Sequence, residues 1–132
     1  YAASSFAHQI ASIEMGNINP VIHVGRLSTK RDIMDVRDTV IAYRALMSSS
    51  SIAGIYNVCS GQTYQMHDIV MKLIDLARVP IKTQLDQTRV RANDYPDLSG
   101  DRTRITKAVG WTPRINLEQT LTDLLNYWRS RM

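Results

Sequence analysis

The chain has 132 residues, which is enough for one domain and short for two. Hydrophobic residues make up 44% and charged residues 21%, so the sequence can bury a core and is not of the disordered type. A formal charge of +4 favours an anionic partner, but the lysines and arginines are scattered along the chain, whereas a nucleic-acid binder normally clusters them and places aromatics among them.

The cysteine content and hydropathy indicate the cell compartment. A single cysteine, Cys59, excludes an internal disulfide and is typical of a reducing compartment, so we expect a cytoplasmic protein. No apolar run approaches the roughly twenty residues that a membrane span needs, so no membrane partner is expected. The chain begins at Tyr1 without a signal-like segment, which suggests a fragment of a longer protein.

The first third of the chain predicts helix, strand, charged loop and helix. The segment SSFAHQIASIEMG has helical apolar spacing (Phe6, Ile10, Ile13), a serine cap at Ser4 or Ser5, and a stop at Gly16. PVIHVG predicts a short strand, and GRLSTKRDIMDVRD is a charged loop. DVRDTVIAYRALM predicts a helix whose apolar side chains are available for burial: Val36, Val40, Ala42, Tyr43 and Leu46 or Met47.

The rest of the chain continues the alternation of strand and helix. IYNVCS is nearly all apolar and predicts a strand buried on both faces, as in a parallel sheet. MHDIVMKLIDLARV predicts a helix ended by Pro80, and IKTQLD a half-buried strand. Two helices follow, one between an Asp101 cap and Gly110, the other starting at an Asn116 cap. This alternation predicts an α/β fold.

Several kinds of site are absent from the sequence or weakly indicated. The glycines are isolated and none forms GxGxxG, so the chain by itself does not bind NAD through such a turn. The histidines (His8, His23 and His67) lack metal-site spacing, and Cys59 reads as an inert core thiol. The carboxylates of Asp35, Asp38, Asp68 and Asp75 read as helix caps or helix-surface charges.

Two arginines are the remaining candidates for chemistry. Arg31 follows a predicted strand, and Arg91 lies in the long loop DQTRVRANDYPDLSGD. A guanidinium on a loop at a strand end suits phosphate, because its planar fork holds two oxygens at once. Asp94 would accept hydrogen bonds from hydroxyls such as those of a ribose. The alternative for each arginine is a solvated surface charge, and spacing alone does not decide between the two.

Four segments in colinear order carry a resemblance to a known family. They are the KRD…DVRD loop and helix, YNVCSG, the Arg-x-x-Asp pair at 91–94, and GWTP…DLLNYW. Together they resemble the carboxyl-terminal, substrate-binding part of the extended short-chain dehydrogenases/reductases, which include NAD-dependent epimerases and dehydratases of nucleotide sugars. Within that family the chain is most similar to GDP-6-deoxy-4-keto-mannose reductases and GDP-mannose 4,6-dehydratases.

The resemblance implies roles for individual residues. Arg31 and Arg91 would hold the diphosphate of a nucleotide sugar, and Asp94 would accept hydrogen bonds from the ribose hydroxyls. His8 and Gln9 would lie near the base, and Gly25 would let the backbone approach the ligand. Arg26 stands where the family usually has Asn, so it adds charge near the site, and Ala92 stands where the family often has Pro, which frees the loop that carries Arg91.

The same resemblance explains why the charged loop contains apolar residues. The helix beginning near Asp35 would pack behind Arg31, with Ile33, Met34 and Val36 as the apolar anchor of the loop. Asp35, Arg37 and Asp38 would cap and brace that helix and not touch the ligand.

The resemblance also implies what the chain lacks. The family's catalytic Ser/Thr, Tyr and Lys and its glycine-rich turn lie upstream of the matched part. Residues 1–132 would therefore be one nucleotide-sugar-binding domain fragment, mostly helical with short strands, without the dinucleotide-binding unit. NAD(P) would bind the parent enzyme, no cofactor would bind this chain alone, and no catalytic residue is expected here.

These implications leave two classes of function. The chain would be the substrate-binding portion of an oxidoreductase that reduces the C4 ketone of a GDP-4-keto-6-deoxyhexose, with dehydratase and epimerase as alternatives within the enzyme class. Otherwise it would be a non-catalytic nucleotide-sugar-binding or self-associating module. Expected partners are a GDP-sugar and either the missing dinucleotide-binding half or a second copy, because IYNVCS would leave an unpaired apolar edge.

Overall fold

The computed structural model describes residues 2–49, 53–90 and 95–132. Its helices are α1 (Ala2–Glu14), α2 (Val36–Met47), α3 (Met66–Asp75), α4 (Thr103–Val109) and α5 (Leu117–Arg129). Its strands are β1 (Val21–Val24), β2 (Lys30–Asp32), β3 (Thr63–Gln65), β4 (Lys82–Leu85) and β5 (Asp97–Leu98), with a 3-10 turn at Gln87–Arg89. The expected α/β class, mostly helical with short strands, is confirmed.

The strands form two small sheets. β1 and β4 pair in parallel, with Val21 opposite Lys82. In the other sheet β2 is central, antiparallel to β3 on one side and parallel to β5 on the other. β2 therefore contacts two segments that lie far from it in sequence.

The larger core lies between α1, α3, α5 and β1. The predicted apolar face of α1 is confirmed, because Phe6, Ile10 and Ile13 are all buried there. Their buried partners come from the other three elements: Ile22, Val24, Met66, Ile69, Val70, Leu73, Leu121 and Leu125. Within the described residues no helix combines the length and apolar character that a membrane crossing requires.

A smaller core joins α2 to α4 and to the segment before β3. Ala42, Ile105 and Trp111 are buried at its centre. Half-buried side chains pack around them: Met34, Leu46, Tyr56, Val58 and Val109.

The predicted burial along α2 is wrong for Val36, Val40 and Tyr43, whereas of the alternatives Leu46 and Met47 it is Leu46 that packs, half-buried, on the smaller core. Val36 is 71% exposed, Val40 59%, Tyr43 55% and Met47 86%, whereas Ala42 is fully buried. The side of the helix with Asp38 and Ala42 faces the smaller core, so its other apolar face is left largely exposed. Of the proposed loop anchors, Ile33 packs on the larger core and Met34 on the smaller, but Val36 does not anchor the loop.

The prediction of a doubly buried strand at IYNVCS is also wrong. Residues 55–60 carry no strand, and Ile55 is 85% exposed. A strand needs a neighbour with which to exchange backbone hydrogen bonds, and none of the described strands pairs with this segment.

Smaller differences concern the ends and exposure of elements. α1 starts at Ala2, so Ser4 and Ser5 lie inside the helix and do not cap it. Arg31 lies in strand β2 and not in a loop. β4 exposes all its residues instead of burying one face, and α3 ends at Asp75, before Pro80. The Asn116 cap and the Gly110 stop are confirmed.

Candidate functional site

The carboxyl ends of the parallel strands β1 and β4 bring together Gly25 and the turn Gln87–Arg89. A Cβ atom at Gly25 would lie 2.6 Å from the carbonyl oxygen of Arg89. The structure therefore gives a packing reason for glycine at this position, since any side chain would push the turn away from the strand end. Close approach of the Gly25 backbone to a ligand stays a prediction.

Gln9 joins α1 to β1 next to this edge. Its Oε1 accepts a hydrogen bond from the His23 N–H at 2.9 Å, and its Nε2 donates to the His23 carbonyl at 3.3 Å. Gln9 is buried, and a buried amide without hydrogen-bond partners would destabilise the folded protein. These two bonds to His23 supply such partners. His8, in contrast, is exposed and packs edge-to-face against Trp128, with ring centroids 4.6 Å apart. Contact of either residue with a base stays a prediction.

Two guanidinium groups belong to this edge. Arg26 follows Gly25, and no hydrogen bond or ion pair to its guanidinium forms among residues 2–49, 53–90 and 95–132. Arg89 donates to Asp86 at 3.1 Å and to the Ser5 hydroxyl at 3.3 Å. Hydrogen bonds from Thr88, with a further one from Arg89, lower the pKa of Asp86.

Arg31 attaches β2 to the segment that begins at Tyr95. Its Nη1 donates to the Tyr95 carbonyl at 2.8 Å and to the Lys30 carbonyl at 2.6 Å. The Lys30 N–H donates to the Pro96 carbonyl at 2.8 Å, and Arg31 pairs with Leu98 in the parallel ladder. The half-buried guanidinium is therefore held in place by backbone carbonyls.

Arg91 and Asp94 lie outside the described residues, so their convergence with Arg31 stays a prediction. Their described neighbours in the chain have definite contacts. Arg89, two residues before Arg91, lies against Gly25, and Tyr95, one residue after Asp94, accepts from Arg31. Both ends of the predicted binding loop thus adjoin other predicted site residues.

Sequence reasoning assigned no role to Asp32, yet its carboxylate links three separate segments. It accepts from the Ser60 N–H and hydroxyl, the Gly61 N–H and the Gly100 N–H. No local pattern could have revealed this, because the donors lie 28 to 68 residues away. Arg102 also donates to the Ser60 carbonyl and so supports the same turn.

The bracing roles of Asp35, Arg37 and Asp38 are confirmed. Asp35 caps α2 by accepting from the Arg37 N–H, and it also accepts from the Arg37 guanidinium and the Thr120 hydroxyl. The hydrogen bond from the Arg37 side chain, assisted by the others, lowers the pKa of Asp35 to about 2. Asp38 is fully buried and accepts from the N–H groups of Arg114 and Ile115.

A polar cavity of about 260 Å³ lies beside these braces. Asp35, Ser60, Tyr64, Arg102 and Thr120 are among its lining residues. Ligand pockets usually measure about 300–1,000 Å³, so this cavity is small for a nucleotide sugar. Among the described residues no group of three or more His, Cys, Asp or Glu side chains is placed to hold a metal ion.

Comparison with known proteins gives consistent matches along the whole chain. A family model described as GDP-mannose 4,6 dehydratase matches residues 1–124. GDP-6-deoxy-D-mannose reductase from Pseudomonas aeruginosa is 33% identical over 132 residues, which is 100% of this chain and 43% of that protein. This chain therefore spans less than half the length of that relative.

Solved structures agree with the sequence matches. The structure of RMD from Pseudomonas aeruginosa complexed with NADPH superposes with a TM-score of 0.91 at 32% identity, covering 100% of this chain and 43% of that one. UDP-glucose 4-epimerase from Bifidobacterium longum, in complex with NAD+ and UDP, gives a TM-score of 0.76 at 18% identity, covering 96% of this chain and 39% of that one. The second likeness concerns the fold alone.

The sequence lacks the glycine-rich turn that typically holds a dinucleotide such as those bound by these two relatives. GxGxxG occurs nowhere in the 132 residues. At Gly61, which has a φ of +72°, the space for a Cβ is already taken by the Arg102 guanidinium 2.8 Å away. A pyrophosphate-binding turn of the GxGxxG type is therefore not supplied by this sequence.

Proposed function

Because the chain belongs to the GDP-mannose 4,6-dehydratase family of extended short-chain dehydrogenases/reductases, we propose that it is the substrate-binding portion of an enzyme that modifies nucleotide sugars. The parent enzyme would reduce the C4 ketone of a GDP-4-keto-6-deoxyhexose in the cytoplasm. The reductant, NAD(P)H, would bind to a part of the parent outside these 132 residues. The chain alone would be inactive.

The observation that supports this proposal most is the pair of contacts flanking residues 91–94. The Arg89 carbonyl meets Gly25 on one side, and the Tyr95 carbonyl meets Arg31 on the other. The loop that carries Arg91 and Asp94 is thus tied at both ends to predicted ligand-binding residues. One compact site is the simplest arrangement compatible with these contacts.

In that site Arg31 and Arg91 would share one diphosphate. Charge-assisted hydrogen bonds are about twice as strong as neutral ones, and two guanidinium forks match the phosphate oxygens. Asp94 would accept from the ribose hydroxyls, while Gly25, Arg26, His8 and Gln9 would lie toward the nucleoside. Binding energy from these remote groups would align the sugar for reaction at C4.

Dehydration and epimerisation are alternatives within the enzyme class, since the residues that distinguish these reactions lie upstream in the family. A second class is a non-catalytic nucleotide-sugar-binding or self-associating module. The observation that favours self-association is the exposed apolar face of α2, together with the unpaired segment 55–60. Neither class requires nucleic acid or a membrane.

Calorimetric titration with GDP, GMP and guanosine tests the proposal. We expect GDP to bind best, because only GDP presents a diphosphate. Arg91→Ala should weaken GDP binding by about 1.5–3 kcal/mol, the scale of a lost charged hydrogen bond. Arg44→Ala is the matched control, since Arg44 is an exposed arginine of α2. Equal affinity for GDP and guanosine, or no GDP binding by a folded sample, would count against the proposal.

A further inference from the structure

The Asp32 carboxylate accepts four hydrogen bonds from two segments that lie far from it in sequence. Oδ1 accepts from the Ser60 N–H at 2.9 Å and the Ser60 hydroxyl at 2.5 Å, and Oδ2 accepts from the Gly61 N–H at 2.8 Å and the Gly100 N–H at 3.3 Å. Within the described residues no lysine or arginine forms an ion pair with it. Its charge is therefore satisfied by three backbone N–H groups and one hydroxyl of two loops.

Each of the three residues of β2 makes a hydrogen bond to the segment 95–100. Lys30 binds the Pro96 carbonyl at 2.8 Å, and Arg31 binds the Tyr95 carbonyl at 2.8 Å. Asp32 completes the series at Gly100. Of the three, Asp32 is the residue that also fixes a second loop, at Ser60 and Gly61, so it joins both loops to one strand.

Gly100 fits closely over Cys59, which belongs to that second loop. A Cβ at Gly100 would lie 2.5 Å from Cys59 Sγ and 2.7 Å from Cys59 Cβ. Burial, followed by the negative charge of Asp32, raises the pKa of the Cys59 thiol. The rate at which this thiol reacts therefore depends on whether segment 95–100 is packed against β2 and Cys59.

We propose that Asp32 is a positioning residue that clamps segment 95–100 against β2 and the 59–61 turn, and thereby keeps in place the Tyr95 carbonyl that orients the Arg31 guanidinium. The clamp acts next to Arg31, so the orientation of this candidate diphosphate ligand depends on it. The link to substrate rests on the proposed function, whereas the clamp itself does not.

Thiol labelling of the 132-residue chain tests the clamp directly, because Cys59 is its only cysteine. Asp32→Asn should raise the labelling rate about tenfold, the effect of losing one charged hydrogen bond on a local opening equilibrium. Rates are measured across pH and compared at full ionisation, so that a change in thiol pKa is separated from a change in access. Asp97→Asn is the control, because Asp97 lies in the same segment and makes only an exposed ion pair with Lys30, at 3.9 Å.

A second variant tests the packing without changing any charge, because Asp32→Asn removes a charge that also acts on the Cys59 thiol. Gly100→Ala keeps Asp32 but places a methyl group against Cys59, so it should also raise the labelling rate, with circular dichroism confirming that the chain is folded. Unchanged labelling in folded Asp32→Asn and Gly100→Ala, relative to Asp97→Asn, would overturn the clamp.

Titration with GDP then separates the clamp from the proposed function. We expect Asp32→Asn to weaken GDP binding about tenfold and Asp97→Asn to leave it unchanged. Faster labelling with unaltered GDP affinity would refute the positioning role. If the unsubstituted chain binds no GDP, the proposed function fails, and labelling alone decides whether the clamp exists.

Discussion

Asp38 offers the sharpest test of how the chain holds α2 in place. It is 1% exposed, and its Oδ2 accepts from the Arg114 N–H at 3.0 Å and the Ile115 N–H at 2.9 Å. Its backbone carbonyl accepts from Trp111 Nε1 at 3.2 Å. One buried carboxylate thus fixes the loop that precedes α5.

The cost of Asp38→Ala follows from these bonds. Each hydrogen bond to a charged group contributes about 1.5–3 kcal/mol, and two donors would lose their acceptor. The substitution should therefore lower the free energy of unfolding by on the order of 3–6 kcal/mol. The free energy of unfolding of a typical domain is about 5–15 kcal/mol, so this loss would remove a large part of the stability. Asp38→Asn keeps one carbonyl oxygen and should cost less, about 1–2 kcal/mol.

Urea unfolding followed by tryptophan fluorescence measures this effect, because Trp111 is buried beside Asp38. Asp75→Ala is the control, since Asp75 is an exposed aspartate at the end of α3 and should change stability by no more than about 0.5 kcal/mol. If Asp38→Ala and Asp75→Ala shift the urea midpoint equally, the bracing role assigned to Asp38 is wrong.

Two further predictions concern α2. Because the folded pKa of Asp35 is lowered to about 2, its ionised form contributes stability above about pH 4, and that stability, about 2 kcal/mol at most, is lost as the pH falls toward 2. Asp35→Asn should therefore reduce the dependence of the unfolding free energy on pH between pH 4 and pH 2. If the slope of the unfolding free energy against pH is the same in the variant, this prediction is wrong. The exposed apolar face of α2 predicts concentration-dependent self-association, which Val40→Asp should reduce and Met71→Asp, on α3, should not. A stable monomer over a wide concentration range in light scattering would refute this second prediction.

Sequence reasoning succeeded where the cause of a structure is local. The apolar spacing of α1 predicted its buried face because residues three and four apart share one side of a helix. Asn116 was recognised as a cap because its side chain reaches the Gln119 N–H within the same turn, at 2.8 Å. Gly110 ends α4 with a φ of +68°, a conformation that glycine adopts at little cost.

It failed where the cause is a partner distant in sequence or outside the chain. The apolar pattern of α2 predicted an amphipathic helix, but it could not show that Val40 and Tyr43 would stay more than half exposed. IYNVCS has the composition of a buried strand, yet no described strand pairs with it. The role of Asp32 depends on Gly100, 68 residues away, and no periodicity encodes that contact.

If Arg31 and Arg91 bind the same diphosphate, their contributions to GDP affinity are coupled, and a double-substitution cycle measures that coupling. Arg31→Ala and Arg91→Ala should each weaken binding by about 1.5–3 kcal/mol. The double variant should lose less than the sum, with a coupling of at least about 0.5 kcal/mol, because groups that share a ligand are not independent. Losses that add within about 0.3 kcal/mol, or an Arg31→Ala variant that binds GDP like Arg44→Ala, would contradict the account.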